Sequence, residues 1–480
     1  MSKSKFVRPG CLYCVLLTVI LGCLQPFEVE ARSTDNDVVV VKDVPHVRQK
    51  PDFCGEACIV MYLQKLGHDV CQDAIFDLSG VDPALGRGCV TRDMVRVLRR
   101  IGFGPGAVWH KIDPRKSKHA LEIQWNSLLL DLQNGTPSIV CMRYGSQPGA
   151  PEHFRLVLGY DRKADEVIYH EPAEDNGAYR RMKRAEFLDL WPLKYKQDEW
   201  LVIWMPLSVG RISLSKSGGD LTDADYAQHI MKVKRIAPAG FTIVLEPPFV
   251  VVGDEKPSVV RSRAERTVKW FVDHIRKLYF EKAPPKVYSI WLFKDNESYR
   301  RYAKELFNDE PDTPFGYCSD SNQALIMNIA TGGGTLCHEI VHAFTTSNFP
   351  QCPAWFNEGL ASLYEQCGPR AGRVVGLTNW RLAGLKTEIR AGTLPSFKTL
   401  LGTTTYRFYN MRRGNNYAQA RYLCYYLQEK GLLVKFYDTF RRNVKNDPSG
   451  YETLKSIVSE DDMADFQQRW EKWVLRLRFP

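Results

Sequence analysis

The stretch 335–366, TLCHEIVHAFTTSNFPQCPAWFNEGLASLYEQ, constrains this chain more than any other, because its polar residues make sense together only on two facing helices. His338 and His342 stand four apart around Glu339 in H-E-x-x-H. Side chains at that spacing lie one above the other on a helix, so both imidazoles can point at one ion. Such a pair suits zinc, which takes imidazole nitrogens in tetrahedral geometry and keeps a position for water. Glu339 is then placed to take a proton from that water. The apolar stripe of this helix would be Leu336, Ile340, Ala343 and Phe344, and both histidines fall off it. H-E-x-x-H also occurs by chance on ordinary helices, so the second helix matters. There Phe356, Leu360 and Leu363 form the stripe, while Glu358 shares a face with Ala361 and Ser362. Small residues beside a glutamate leave room for a close neighbour, whereas a solvated face carries larger polar groups.

HEIVH followed by PAWFNEGLA resembles the gluzincin metallopeptidases, in particular a secreted bacterial group with N-E-G-x-A after the metal helix. The resemblance spans roughly residues 250–430. It implies His338, His342 and Glu358 as ligands of a zinc ion and Glu339 as general base. The electrophile-stabilising Tyr or His of that clan has no unambiguous match; Tyr417 is the candidate. The strand before the metal helix, 324–329, is by the same resemblance the edge that would pair with an extended substrate.

A second constellation lies in 44–67, VPHVRQKPDFCGEACIVMYLQKLG. Ala57, Val60, Met61 and Leu66 have helical spacing and Gly67 ends the run, so Cys54 falls at a helix start. Helix dipole and free N–H groups there favour a thiolate. Gln49, five residues earlier, could donate to a developing oxyanion. A cysteine in a helix is most often a small buried apolar residue, and that reading or a disulfide suits Cys58. Downstream, 153–158 and 167–171 alternate around the turn-like GYDRKAD. A hairpin centred on Arg162 would set His153 directly across from Glu171 on one face, as a base oriented by a carboxylate. Period 2 sends His170 to the other face.

These residues resemble the papain-like peptidases of the bacteriocin-leader-processing type, over about residues 43–205. The pattern is carried here by Gln49, Cys54-Gly55-Glu56-Ala57-Cys58, His153, Gly159-Tyr160-Asp161 and Glu171-Pro172. The resemblance implies Cys54 as nucleophile, His153 as base, Glu171 as its orienting acid and Gln49 in the oxyanion site. Glu171 departs from the family, which mostly has the shorter Asp.

At 480 residues the chain exceeds one ordinary core, so two or three domains are expected. The net charge of +10 is spread without basic runs, which a solvated surface explains, and there is no nucleic-acid signature. Residues 1–31 read as a signal peptide: Lys3, Lys5 and Arg8, an apolar run over 11–24, then Val29-Glu30-Ala31 as a small-residue cleavage site. That run is short for a membrane span, and nothing later approaches ~20 apolar residues. Ile20-Leu21-Gly22-Cys23 resembles a bacterial lipobox, so lipid attachment at Cys23 is the alternative and the only membrane link expected. Export to the periplasm or beyond permits disulfides. Of 13 cysteines, three precede residue 31, five lie in 54–141 and five in 318–424. If pairing respects the halves, each half keeps at least one free thiol.

The expected class is α+β: a papain-like cysteine-peptidase fold over 43–205, a Ser-, Gly- and Asp-rich linker over 206–225, and a gluzincin fold over 226–480 with a mainly helical C-terminal part. Segments 258–280, 296–307, 335–347, 417–430 and 463–475 read as helices, and 288–293 and 324–329 as strands. The chain as a whole reads as an exported peptidase with two candidate centres acting on peptide or protein substrates. Two rivals remain at this stage. One is a hydrolase of cell-wall cross-links or an acyl transferase, since transglutaminase-like proteins share the Cys, His, acid order. The other is a peptide-binding module whose cysteine site is silent.

Overall fold

The computed structural model describes residues 37–214, 221–411 and 413–479. The expected signal peptide 1–31, with Cys23, lies outside the described residues. Among the described residues no helix is long and apolar enough to cross a membrane.

The first half is built on an antiparallel sheet of β1 (Val38–Val40), β2 (Trp109–Ile112), β3 (Ser138–Arg143), β4 (Glu152–Asp161), β5 (Glu166–His170), β6 (Arg180–Lys183) and β7 (Trp200–Pro206). The order is β2-β7-β3-β4-β5-β6, with β1 paired to the far end of β4. Alternation along the strands divides the core. Ile139, Leu156, Leu158 and Met205 pack with the helices Cys54–Lys65 and Thr91–Ile101. Val140, Val157, Tyr169 and Trp204 pack with Trp125 and Leu128 of Ser117–Gln133 and with Phe187 of Arg184–Leu190.

The β4–β5 hairpin corrects one expectation. Leu156 pairs with His170 and Asp161 with Glu166, with a register shift between Val157 and Gly159. The turn therefore lies at 162–165 rather than on Arg162. Continuing the ladder outward puts Arg155, not His153, opposite Glu171. The bulge inserts an extra residue in β4, which no alternation pattern reveals.

The second half carries a mixed sheet of β8 (Thr242–Glu246), β9 (Phe249–Gly253), β10 (Tyr288–Phe293), β11 (Gly316–Ser319) and β12 (Ala324–Asn328), in the order β11-β12-β10-β9-β8. One face buries Val251, Leu292 and Met327 against Leu336, Ile340 and Phe344 of the helix Gly334–Asn348. Strand β12 is not the edge expected for 324–329: it pairs with β10 in parallel and with β11 antiparallel. The edge is β11, whose short, polar GYCS gave no strand signal. The 258–280 helix is realised as Pro257–Arg263 and Trp270–Leu278 joined through a π-type segment, with Val268, Phe271 and Ile275 fully buried. After a small hairpin of β13 (Cys367–Arg370) and β14 (Arg373–Gly376), the chain is helical, including Arg413–Glu429 and Met463–Arg476.

Within the expected linker 206–225, residues 207–214 run back along the first domain, with Gly210 N–H on the Gly102 carbonyl and Ser213 N–H on that of Ile101. Residues 215–220 lie outside the described residues. Thr222 then caps the helix Asp223–Ile236 in a capping box with Asp225. This helix serves both halves. Ala224, Ala227 and Met231 enter the core around the 54–65 helix, while Tyr226, Ile230 and Val233 pack on the other face of the mixed sheet. Gln228 donates to the Pro51 carbonyl, Ala224 N–H to Asp77, and His229 contacts Ser289 Oγ on β10. Gly86, at φ +50°, permits the closest approach, since a Cβ there would lie 2.5 Å from Ile230.

Candidate active sites

Cys54 is the first residue of its helix, and its sulfur accepts a hydrogen bond from the backbone N–H of Phe154, the residue after His153. Period 2 on β4 sends His153 and Arg155 to one face, and Glu171 follows the end of β5. His153 Nε2 lies 2.5 Å from Glu171 Oε1, which also accepts from Ala173 N–H at 3.0 Å. The other oxygen, Oε2, takes Arg155 Nε at 2.7 Å. The acid therefore reaches His153 on the diagonal, two residues along the strand from its opposite number Arg155, and the longer arm of Glu suits that reach. Tyr144 closes the site, its ring edge-on to that of His153 at 5.0 Å and 5.4 Å from the Arg155 guanidinium. Burial pushes the Glu171 carboxyl up, but the His153 hydrogen bond and the charge of Arg155 outweigh it and hold the group at about 2.

Gln49 is tied to this acid through the backbone: its N–H donates to the carbonyl of Pro172 at 2.8 Å. Its side-chain Oε1 is buried without a protein partner among the described residues. His170 is buried on structural duty, with Nε2 on the Val44 carbonyl and Nδ1 accepting from Tyr179 N–H.

The thiolate expected at Cys54 meets an opposing environment. Burial pushes the thiol up to about 12; the Phe154 N–H lowers it, while Glu56 and Asp52 raise it further. The helix dipole at Cys54 is opposed by two nearby carboxylates, Glu56 in the first turn and Asp52 just before the helix. Glu56 is itself fully buried, with Oε1 accepting from Cys89 N–H and Oε2 unpartnered, and burial lifts it to about 7. Glu56 enters the sequence pattern only as a motif position without a role, and Arg155 not at all. Their signal was a charge inside an apolar helix and another inside an apolar strand. Cys58 is buried, and every described cysteine is a free thiol.

In the second half the helix Gly334–Asn348 carries His338, Glu339 and His342, and the helix Ala354–Leu363 brings Glu358. Donor atoms of His338, His342 and Glu358 lie within 4.8 Å of one another. The two Nε2 atoms are 2.9 Å apart, and Glu358 Oε2 is 3.2 Å from that of His338 and 3.5 Å from that of His342. Glu358 Oε2 is buried and, among the described residues, faces only these two imidazole nitrogens, at poor hydrogen-bond geometry. Further polar groups stand behind the remaining ring and carboxylate atoms. Asn357 Oδ1 contacts His342 Nδ1 at 3.0 Å, Glu365 Oε1 lies 3.4 Å from His338 Nδ1, and Tyr409 OH donates to Glu358 Oε1 at 2.7 Å. Arg381 in turn grips Glu365 through Nε and Nη2. Burial alone would lower His338, but Glu358 and Glu365 raise it to about 10. Glu339 is half-buried on the same helix.

Tyr417, the expected electrophile-stabilising residue, stacks under the Arg381 guanidinium at 5.2 Å and against Tyr409. The tyrosine hydroxyl bonded to Glu358 is that of Tyr409, on the short helix Thr405–Asn410. Glu365, Asn357 and Tyr409 were missed in the sequence, because supporting partners follow no fixed spacing.

Residues 41–199 match the model of the Peptidase_C39 like family. Among solved structures the chain is similar to the peptidase domain of Streptococcus ComA, a bi-functional ABC transporter involved in quorum sensing. That likeness is at 17% identity and a TM-score of 0.23, covering 34% of this chain and 99% of that one. No curated protein matches the chain. The family match and the arrangement of Cys54, His153 and Glu171 together support a papain-like cysteine-peptidase domain in the N-terminal part of an α+β protein.

Proposed function

We propose that this protein hydrolyses peptide bonds at two centres, a thiol centre at Cys54, His153 and Glu171 and a zinc-dependent centre at His338, His342 and Glu358. The observation that carries the first is the buried His153–Glu171 contact beside Cys54. With Nε2 engaged by Glu171, Nδ1 is the His153 atom left to serve the thiol, whose sulfur already bonds the N–H of the next residue, Phe154. The Cys54 sulfur attacks the scissile carbonyl carbon as His153 takes its proton, and Gln49 and nearby N–H groups receive the oxyanion. The C–N bond breaks as His153 returns the proton to the amine, and water then releases the acyl group from Cys54 by the same route.

For the second centre the fit to zinc is supported by spacing. Tetrahedral bonds of about 2.0–2.1 Å set ligand atoms about 3.3–3.4 Å apart, close to the 2.9, 3.2 and 3.5 Å found. An unpartnered buried carboxylate oxygen aimed at two imidazoles also suits a cation. Zinc, when bound, supplies Lewis-acid polarisation of a carbonyl and water of lowered pKa. Glu339 takes the proton of the attacking water and passes it to the leaving amine. Glu365 and Asn357 fix the two rings, and Tyr409 fixes Glu358.

Purified full-length protein tests both. About one zinc per chain is expected, stripped in His338→Ala and Glu358→Ala and retained in Glu339→Gln without metal-dependent cleavage. Alkylation of Cys54 should remove only the chelator-resistant part of peptide hydrolysis. The high Cys54 thiol favours one rival, a peptide-binding module with a silent cysteine; peptide binding without chelator-resistant cleavage would establish it. Residues 1–31 support an exported protein, with a mature start near Arg32 or at a lipidated Cys23, which mass spectrometry of the N-terminus distinguishes.

A further inference from the structure

Cys337 immediately precedes His338 on the metal-binding helix, and Cys367 opens β13 two residues after Glu365. The two side chains lie close enough to interact. Backbone geometry explains why they meet. The chain at 365 crosses the first turn of the helix so closely that a Cβ on Gly334 would lie 2.2 Å from the Glu365 carbonyl oxygen. Glu365 continues the approach one turn further along, 3.4 Å from His338 Nδ1. Cys337 and Cys367 also line one cavity of about 920 Å³, with Glu365 and Arg381 on its wall. Cys367 is half-buried and Cys337 buried, so a reagent entering the cavity meets Cys367 first.

We propose that Cys337 and Cys367 form a disulfide that closes a covalent loop around the whole ligand frame. The three ligands, Glu339 and the supporting Asn357 and Glu365 all lie between them, and only Tyr409 and Arg381 reach the centre from outside the loop. Thiols this close need only side-chain rotation to reach an S–S distance of about 2.05 Å. The oxidant is a small-molecule disulfide. The Cys367 sulfur, as thiolate, attacks one sulfur of that disulfide and releases the first donor thiol, which carries off one proton. The Cys337 sulfur then displaces the second donor thiol, carrying off the other proton, and the protein bond forms as the donor is reduced to two thiols. The inference does not depend on a bound metal.

The test uses full-length protein incubated with oxidised glutathione, quenched with iodoacetamide and digested without reductant. Mass spectrometry should show one peptide pair joined through Cys337 and Cys367, absent after reduction and in Cys337→Ser and Cys367→Ser. The same link should survive in Cys318→Ser, a thiol exposed on β11. In wild type, reduction should lower the thermal midpoint by roughly 5–10 °C, because the closed loop restrains the unfolded chain. Recovery of both cysteines as separately alkylated peptides after oxidation, or of Cys367 joined to another cysteine, would overturn the proposal.

Discussion

Arg155 and Glu171 form a buried ion pair, Nε to Oε2 at 2.7 Å, with side chains 5% and 3% exposed. The carboxylate that orients His153 is thus itself held by a cation on the same strand. Removing one partner of such a pair leaves an uncompensated buried charge, at a cost of about 3–5 kcal/mol. Arg155→Met should therefore destabilise the first domain by that order in urea unfolding. A loss under about 1 kcal/mol would show that the pair is not closed in solution.

Glu171 also sets an acid limb. Its folded value of about 2 lies below the ordinary 4.5, so its contribution is present above pH 4.5 and is lost as pH falls towards 2. The amount is on the order of 2–3 kcal/mol. Stability measured from pH 6 to 2 should fall more steeply in wild type than in Glu171→Gln.

How much of this was legible in the sequence follows from the physics of each signal. Cys54 falls at a helix start and His153 meets Glu171 as the sequence suggests, because helix start and strand alternation place side chains by short-range rules. The hairpin register was not legible, because one bulged residue near Leu158 shifts every later pairing. Arg155 and Glu56 are buried by contacts distant in the chain, which composition does not encode. The ligand trio came from spacing on two helices, while Tyr409 reached Glu358 only through tertiary packing. Strand β11 escaped because four polar residues pair with β12 through their backbone, and backbone bonds carry no side-chain signature.

Glu56 predicts the opposite pH sign. Its folded value near 7 lies above 4.5, so its full contribution holds below pH 4.5 and is lost as pH rises through 7. Glu56→Gln keeps the acceptor for Cys89 N–H and removes the charge. The variant should match wild type near pH 4.5 and gain on the order of 2–3 kcal/mol at pH 8. Equal unfolding midpoints at both pH values would exclude a buried ionising group.

For Cys54, a thiol near 12 means little thiolate at neutral pH. Iodoacetamide should label it more slowly than the exposed Cys71 at pH 7, with a rate rising about tenfold per pH unit up to pH 10. A fast rate independent of pH would indicate a preformed thiolate–imidazolium pair with His153 instead.

The partners behind the ligands should set metal affinity. Glu365→Gln and Tyr409→Phe are each expected to weaken zinc binding about 10–100-fold, measured by competition with a chelating dye. Full affinity in both variants would remove these contacts from the metal site.

The helix Asp223–Ile236 has a consequence for how this molecule comes apart. Ile230, fully buried, has one neighbour at Gly86 in the first half and others in the mixed sheet of the second. Burying one such side chain is worth about 1.5–3 kcal/mol, and each half borrows that stabilisation from the same turn of helix. Pulling the halves apart therefore means tearing a common interior open, not stretching a tether. The thiol and the imidazole pair therefore belong to a single mechanical body, whose melting is expected to be concerted.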